Sequence, residues 1–226
     1  MTKIYALMAG VALVALVGGT AIWTSFRGHP ECGAGAVAGA SIGGPFKLLD
    51  QTGALVTDVE VIDRPSLVYF GYSFCPDVCP FDVARNALAV DLLNEQGLEV
   101  KPVFITIDPE RDTVEAMASY ASDMHPNMTA LTGTDAQIKA AADAYRVYYR
   151  KGSGEGEFYL MDHSTFTYLM MPETGLAAYF KREATPEEMA EQTACLVAGR
   201  WECLTLPARA HKLPKVWKGF SCQTRR

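Results

Sequence analysis

Residues 66–80 read Ser66-Leu67-Val68-Tyr69-Phe70-Gly71-Tyr72-Ser73-Phe74-Cys75-Pro76-Asp77-Val78-Cys79-Pro80. Residues 66–72, just after Pro65, are apolar and rich in β-formers, which predicts a buried central strand. After it the period changes. Val83, Ala87, Val90 and Leu93 share one face of a helix over 79–95, and Gly97 stops it. A buried strand thus ends and a helix begins around two cysteines four residues apart. On a helical turn, that spacing points both side chains the same way, roughly 5–6 Å apart at Cβ. They sit at a helix N-terminus, where the partial positive charge favours thiolate over thiol. Such a pair can close into a disulfide or chelate a soft metal ion. Two inert core cysteines are a weaker reading, because a turn with Pro76 and Pro80 is exposed and constrained.

Outward from this turn, the chain spells a regular order. Residues 46–49 and 54–57 flank Asp50-Gln51-Thr52-Gly53 and predict a β-hairpin. Residues 100–107 (VKPVFITI, ending at Ile107) predict a second buried strand. Three helix starts carry capping signals: Asp112 with Glu115, Thr134 with Gln137, and Thr185 with Pro186 and Glu188. Residues 165–171 and 176–180 are β-like around Pro172-Glu173-Thr174-Gly175, a second hairpin. The order is hairpin, β, α, β, α, short β, α, hairpin, α. Strands alternating with helices require parallel crossovers, and the late hairpin adds antiparallel strands. The fold class is α/β: a thioredoxin-like mixed sheet flanked by helices, with an N-terminal β-hairpin.

The ends differ from the middle. Residues 4–23 carry no charge and lie between Lys3 and Arg27. Twenty residues at about 1.5 Å rise span a hydrocarbon core of roughly 30 Å. With no convincing A-x-A-like exit, residues 1–27 are expected to form an uncleaved transmembrane helix. The amino terminus is then inside and the domain outside, in the periplasm or an equivalent intermembrane space. Residues 28–44, rich in Gly, Ala and Ser, form a tether, residues 45–199 the domain, and residues 200–226 a basic tail of net charge +6. The overall charge of −6 excludes nucleic acid as an expected partner.

Redox enzymes usually carry C-x-x-C, whereas the extra residue here opens the bite and leaves room for an ion. Copper on two thiolates calls for a third ligand, commonly imidazole. Of the four histidines, His29 falls in the tether, His211 in the tail, and His125 in a loop after a helix. His163, in Met161-Asp162-His163-Ser164, immediately precedes the strand at 165–171. In thioredoxin folds that loop faces the cysteine turn and normally carries a cis-proline, which this chain lacks. Residues 151–157 (KGSGEGE) are glycine-rich, so a mobile segment is expected to let His163 swing onto or off a metal. Met161 reads as a hydrophobic wall, Asp77 as solvated, and Asp162 as either orienting the site or pointing away.

The ordered set FCPDVCP, ITIDPERDT, LTGT, AYRVYY and DHS, with its spacing over residues 45–197, resembles the Sco/SenC family of copper proteins. The resemblance implies a thioredoxin-like fold that binds Cu(I) and Cu(II) through two Cys and one His. By motif these are Cys75, Cys79 and His163. It implies delivery of copper to the copper-accepting subunit of cytochrome c oxidase, at its dinuclear copper centre, or reduction of that centre's cysteines. An upstream copper donor or a thiol reductase would be a further partner. In the alternative reading, a membrane-anchored thiol-disulfide oxidoreductase or redox sensor, Cys75 is the nucleophile and Cys79 the resolving thiol. A resident dinuclear copper site is rejected, because Phe81-Asp82-Val83-Ala84-Arg85-Asn86 supplies neither the His nor the Met such a site needs. The sequence assigns no pairing to Cys32, Cys195, Cys203 and Cys222.

Overall fold

The computed structural model describes Cys32, residues 42–156 and residues 158–201. The expected anchor, most of the tether, and the tail from residue 202 lie outside the described residues. The chain divides into two units, residues 1–34 and 35–226, and all described elements fall in the second. Among the described residues no helix is long and apolar enough to cross a membrane.

Among the described residues nine strands and five helices follow one another: β1 (Lys47–Asp50), β2 (Leu55–Thr57), α1 (Asp58–Val61), β3 (Ser66–Gly71), α2 (Val78–Glu95), β4 (Lys101–Thr106), α3 (Val114–Met124), β5 (Thr129–Thr132), α4 (Asp135–Ala144), β6 (Tyr149–Glu155), β7 (Phe158–His163), β8 (Thr167–Met171), β9 (Gly175–Phe180) and α5 (Pro186–Trp201). The main sheet has the order β2-β1-β5-β4-β3-β8-β9. The pairs β3–β4 and β4–β5 are parallel, and the two hairpins extend the sheet antiparallel at both ends. The mixed sheet and both hairpins are as the sequence implies.

All six residues of β3 are buried, as a central strand covered on both faces requires. Its residues divide between two core clusters. Leu67 joins Val90, Leu93, Leu169 and Met189 under α2 and α5. Val68 and Phe70 join Met117, Leu131, Ile138 and Tyr145 under α3 and α4. Full burial of each such side chain contributes about 1.5–3 kcal/mol, so the two clusters fix the strand from both sides. Helix α2 ends at Gly97, whose φ of +79° suits glycine. Ile42, which the sequence assigns to the tether, already packs against the core, and Gly43 N–H donates to the Ala144 carbonyl.

Three local expectations change. Residues 151–155 lie in β6, which pairs with β7 in a separate antiparallel ribbon with a register shift between Lys151 and Gly154. Gly154 takes φ +135°, and a Cβ there would strike the Phe158 carbonyl, so glycine is what lets the strands approach. A short helix α1, with a Thr57–Glu60 capping box, follows β2 unforeseen. The third change concerns Asp112. Thr113, not Asp112, caps α3, its hydroxyl accepting from Ala116 N–H at 3.3 Å. Asp112 is fully buried and accepts from the Ser73 N–H (3.0 Å), the Ser73 hydroxyl and the Thr106 hydroxyl. The expected capping boxes at Thr134 and Thr185 are both present.

In chemical denaturation Asp112→Ala is expected to cost about 3 kcal/mol, because the half-buried Ser73 and buried Thr106 donors lose a charged acceptor. Thr113→Ala should cost about 1 kcal/mol. Equal losses would contradict Asp112 as the buried anchor.

Candidate metal centre

The cysteine turn is held from below and behind. Gly71 ends β3 where an added Cβ would lie 3.1 Å from Cys79 Sγ and 2.9 Å from the Tyr69 ring. Only hydrogen fits there, so glycine is what allows the sulfur to sit on the strand. Ser73, two residues on, is fastened by Asp112 as above. Cys75 N–H then donates to the Tyr72 carbonyl at 3.3 Å, closing the turn.

Helix α2 begins without a side-chain oxygen cap: Asp77 stands at the N-cap position but its exposed side chain does not fold back. The acceptor is sulfur. Cys79 N–H points at Cys75 Sγ at 3.4 Å, and the Asp77 N–H also donates to it. The Cys79 side chain, these two amides and the Tyr72 hydroxyl pull the Cys75 thiol down to about 4, against the opposing effect of burial. Cys79 moves the opposite way. The neighbouring Cys75 sulfur and its own complete burial hold its proton on. The pair therefore keeps one proton and one negative charge across the neutral range.

His163 ends β7, and its Nε2 lies 3.3 Å from Cys79 Sγ. Its Nδ1 lies 2.8 Å from the Ser164 carbonyl, which can only accept. Nδ1 therefore carries a proton, and Nε2 is the ring nitrogen that faces the Cys79 sulfur. The ring stands edge-on to Tyr69 and Tyr72, with centroids 6.2 and 6.1 Å away. The Tyr69 hydroxyl donates to Asp82 at 3.0 Å and also meets Cys79. Burial pushes the Asp82 carboxyl up, although Arg85 at 3.6 Å and Arg182 at 3.9 Å pull against it.

The structure thus brings together the three residues singled out by sequence, with Cys79 in the middle. Among the described residues no group of three His, Cys, Asp or Glu is arranged to hold an ion as it stands. Two sulfurs and a ring nitrogen are a soft donor set that could hold copper once the Cys79 thiol gives up its proton.

Asp162 points away, paired with Arg150 across the ribbon at 2.9 Å, and Met161 packs against the core. His125 is structural. It is buried, with Nε2 3.2 Å from Asp91 and Nδ1 accepting from Asn127 N–H. Cys75 and Cys79 are free thiols, whereas Cys32 and Cys195 are each disulfide-bonded. Cys203 and Cys222 lie outside the described residues. Sequence reasoning missed Tyr69, Tyr72 and Asp112, although all three lie in or beside the quoted motifs.

Fold and site define a thioredoxin-like thiol protein with an imidazole set against its cysteine pair. The SCO1/SenC family profile matches residues 35–198, and this chain belongs to that family. It is 48% identical over 201 residues to the protein SenC of Rhodobacter capsulatus, covering 87% of this chain and 91% of that one. Its fold matches Arabidopsis thaliana ScoI, solved with copper bound, with a TM-score of 0.68 at 38% identity over 70% of this chain and 99% of that one. Bradyrhizobium japonicum ScoI, also solved with copper bound, gives 0.62 at 38% identity over 67% and 97%.

The reduced full chain should show a thiolate absorbance step near 240 nm centred at about pH 4, absent in Cys75→Ser. Unfolded, that thiol holds its proton up to roughly 8.5. The thiolate therefore favours the folded state most fully above that range, and its share of stability vanishes as pH falls through about 4. A step seen only above neutrality would contradict the assignment.

Proposed function

We propose that this chain binds one copper ion, Cu(I) or Cu(II), through Cys75, Cys79 and His163. It would deliver that ion to the copper-accepting subunit of cytochrome c oxidase while the dinuclear copper centre is assembled. The observation that carries this reading is the 3.3 Å approach of His163 Nε2 to Cys79 Sγ, with the Nδ1 proton committed to Ser164. Membership of a family with copper-bound relatives supports the metal, and the soft donor set suits it.

The copper is cargo. Three protein ligands leave a coordination position open, so an acceptor's thiol or imidazole can enter before a ligand here leaves. Transfer then passes through shared coordination without releasing the ion. An upstream donor would load the site, and a thiol reductase would keep the pair reduced. Residues 1–27 would anchor the chain in an inner membrane, with the domain in the periplasm or an equivalent intermembrane space. The uncharged run of residues 4–23 supports this.

A second reading has its own support in the opposed behaviour of the two thiols. Cys75, as thiolate, would attack a disulfide of the target and release one of its sulfurs as thiolate. Cys79, passing its proton to His163 Nε2, would then attack Cys75 Sγ. The products are a reduced target and a Cys75–Cys79 disulfide. The two roles are compatible, since a target must be reduced before it takes copper.

Titrating the reduced full chain with Cu(I) should reach one equivalent. Binding at neutral pH should release about one proton, because Cys75 is already ionised and Cys79 is not. Calorimetry in buffers of different ionisation enthalpy counts that proton. His163→Ala should weaken binding by more than the roughly tenfold cost of losing an outer-shell partner, and should alter the Cu(II) spectrum. No stoichiometric binding, with the thiols still cycling readily, would favour the oxidoreductase.

A further inference from the structure

The imidazole at Cys79 is carried on the β6–β7 ribbon, which is not part of the main sheet. Arg111, in the loop after β4, lies between that ribbon and the cysteine turn. Its guanidinium carbon stands 3.7 Å from the centroid of the Tyr159 ring on β7, 5.0 Å from that of Phe74 and 5.6 Å from that of Tyr72. Phe74 directly precedes Cys75, and Tyr159 lies four residues before His163. One cation therefore touches the segments carrying both halves of the site.

The contact is built rather than incidental. Arg111 Nη1 donates to the Tyr159 carbonyl at 3.0 Å and its Nε donates to Asp108. Asp108 in turn accepts from the Tyr159 hydroxyl at 2.7 Å, which closes a ring of three residues. The Arg111 side chain is only 10% exposed, and Tyr159 is buried. From β6, Lys151 lays its ammonium 3.5 Å from the centroid of the same ring. A planar guanidinium can stack on a ring and fork to a carboxylate and a carbonyl at once, which an ammonium cannot.

We propose that Arg111 is a positioning residue for His163, fixing the ribbon against the cysteine turn so that Nε2 faces Cys79 Sγ. The proposal rests on the reading of Cys75, Cys79 and His163 as one site. In this role Arg111 acts on His163 through the Tyr159 ring and carbonyl, not as a ligand.

The test uses Arg111→Met and Arg111→Lys in the reduced full chain, first without copper. Hydrogen exchange is followed in β7 against β3 and β4, and nitrogen NMR reports the His163 ring, assigned through His163→Ala. In both variants β7 should lose protection while β3 and β4 keep theirs, and the His163 ring should lose its single Nδ1–H tautomer. Cu(I) affinity should then fall about 10–100-fold. Tyr159→Leu, which opens the ring of contacts from the ribbon side and leaves the Arg111–Asp108 pair intact, should reproduce the loss if Arg111 variants fold poorly. Unchanged β7 protection and ring signals in Arg111→Met overturn the proposal. So does full rescue by lysine, or a loss spread equally over β3 and β4. If the unaltered chain binds no copper and the variants still free the ribbon, the metal reading falls and the positioning role stands.

Discussion

A helix that starts at Val78 presents N–H groups its own turns cannot satisfy, and the acceptor supplied here is the Cys75 sulfur. Sulfur accepts well only as thiolate, so capping the helix and ionising the thiol are one event. The rest of the site follows from it. A negative Cys75 beside a buried Cys79 keeps the second proton in place, and the Cys79 sulfur faces a ring nitrogen whose partner atom is already bound to Ser164. The strand below must end in glycine, because the Cys79 sulfur occupies the space a side chain would need.

Holding this arrangement falls to one short loop. Between β4 and α3, Asp108 and Arg111 reach the ribbon, Asp112 reaches Ser73 in the turn, and Thr113 caps the next helix. Neighbouring residues thus fasten the two segments that carry the donors. The ribbon that bears His163 is held to this loop by these contacts.

Much of this was legible beforehand, for identifiable reasons. The strand–turn–helix around the cysteines announces itself because buried strands and amphipathic helices differ in period, and Gly97 punctuates the helix. The starts at Thr134 and Thr185 follow from local hydrogen bonding, which sequence records directly. His163 could be chosen from four histidines by its place ahead of β8. Asp112 misled because Asp112 and Thr113 are both good cap residues, and its actual partner, Ser73, is 39 residues away. The ribbon was hidden because three glycines at 152, 154 and 156 erase any alternation. Arg111 and Tyr159 carry no local signal, since their contact exists only once β7 has been folded back over the turn.

The central claim is that Cys75, Cys79 and His163 form one copper site. X-ray absorption at the copper edge, on the reduced full chain loaded with one equivalent of Cu(I), tests it most directly. The account predicts a first shell of two sulfurs and one nitrogen, with the nitrogen lost in His163→Ala and one sulfur lost in either cysteine variant. A shell of nitrogen and oxygen alone, or a two-sulfur shell that His163→Ala leaves untouched, would contradict it.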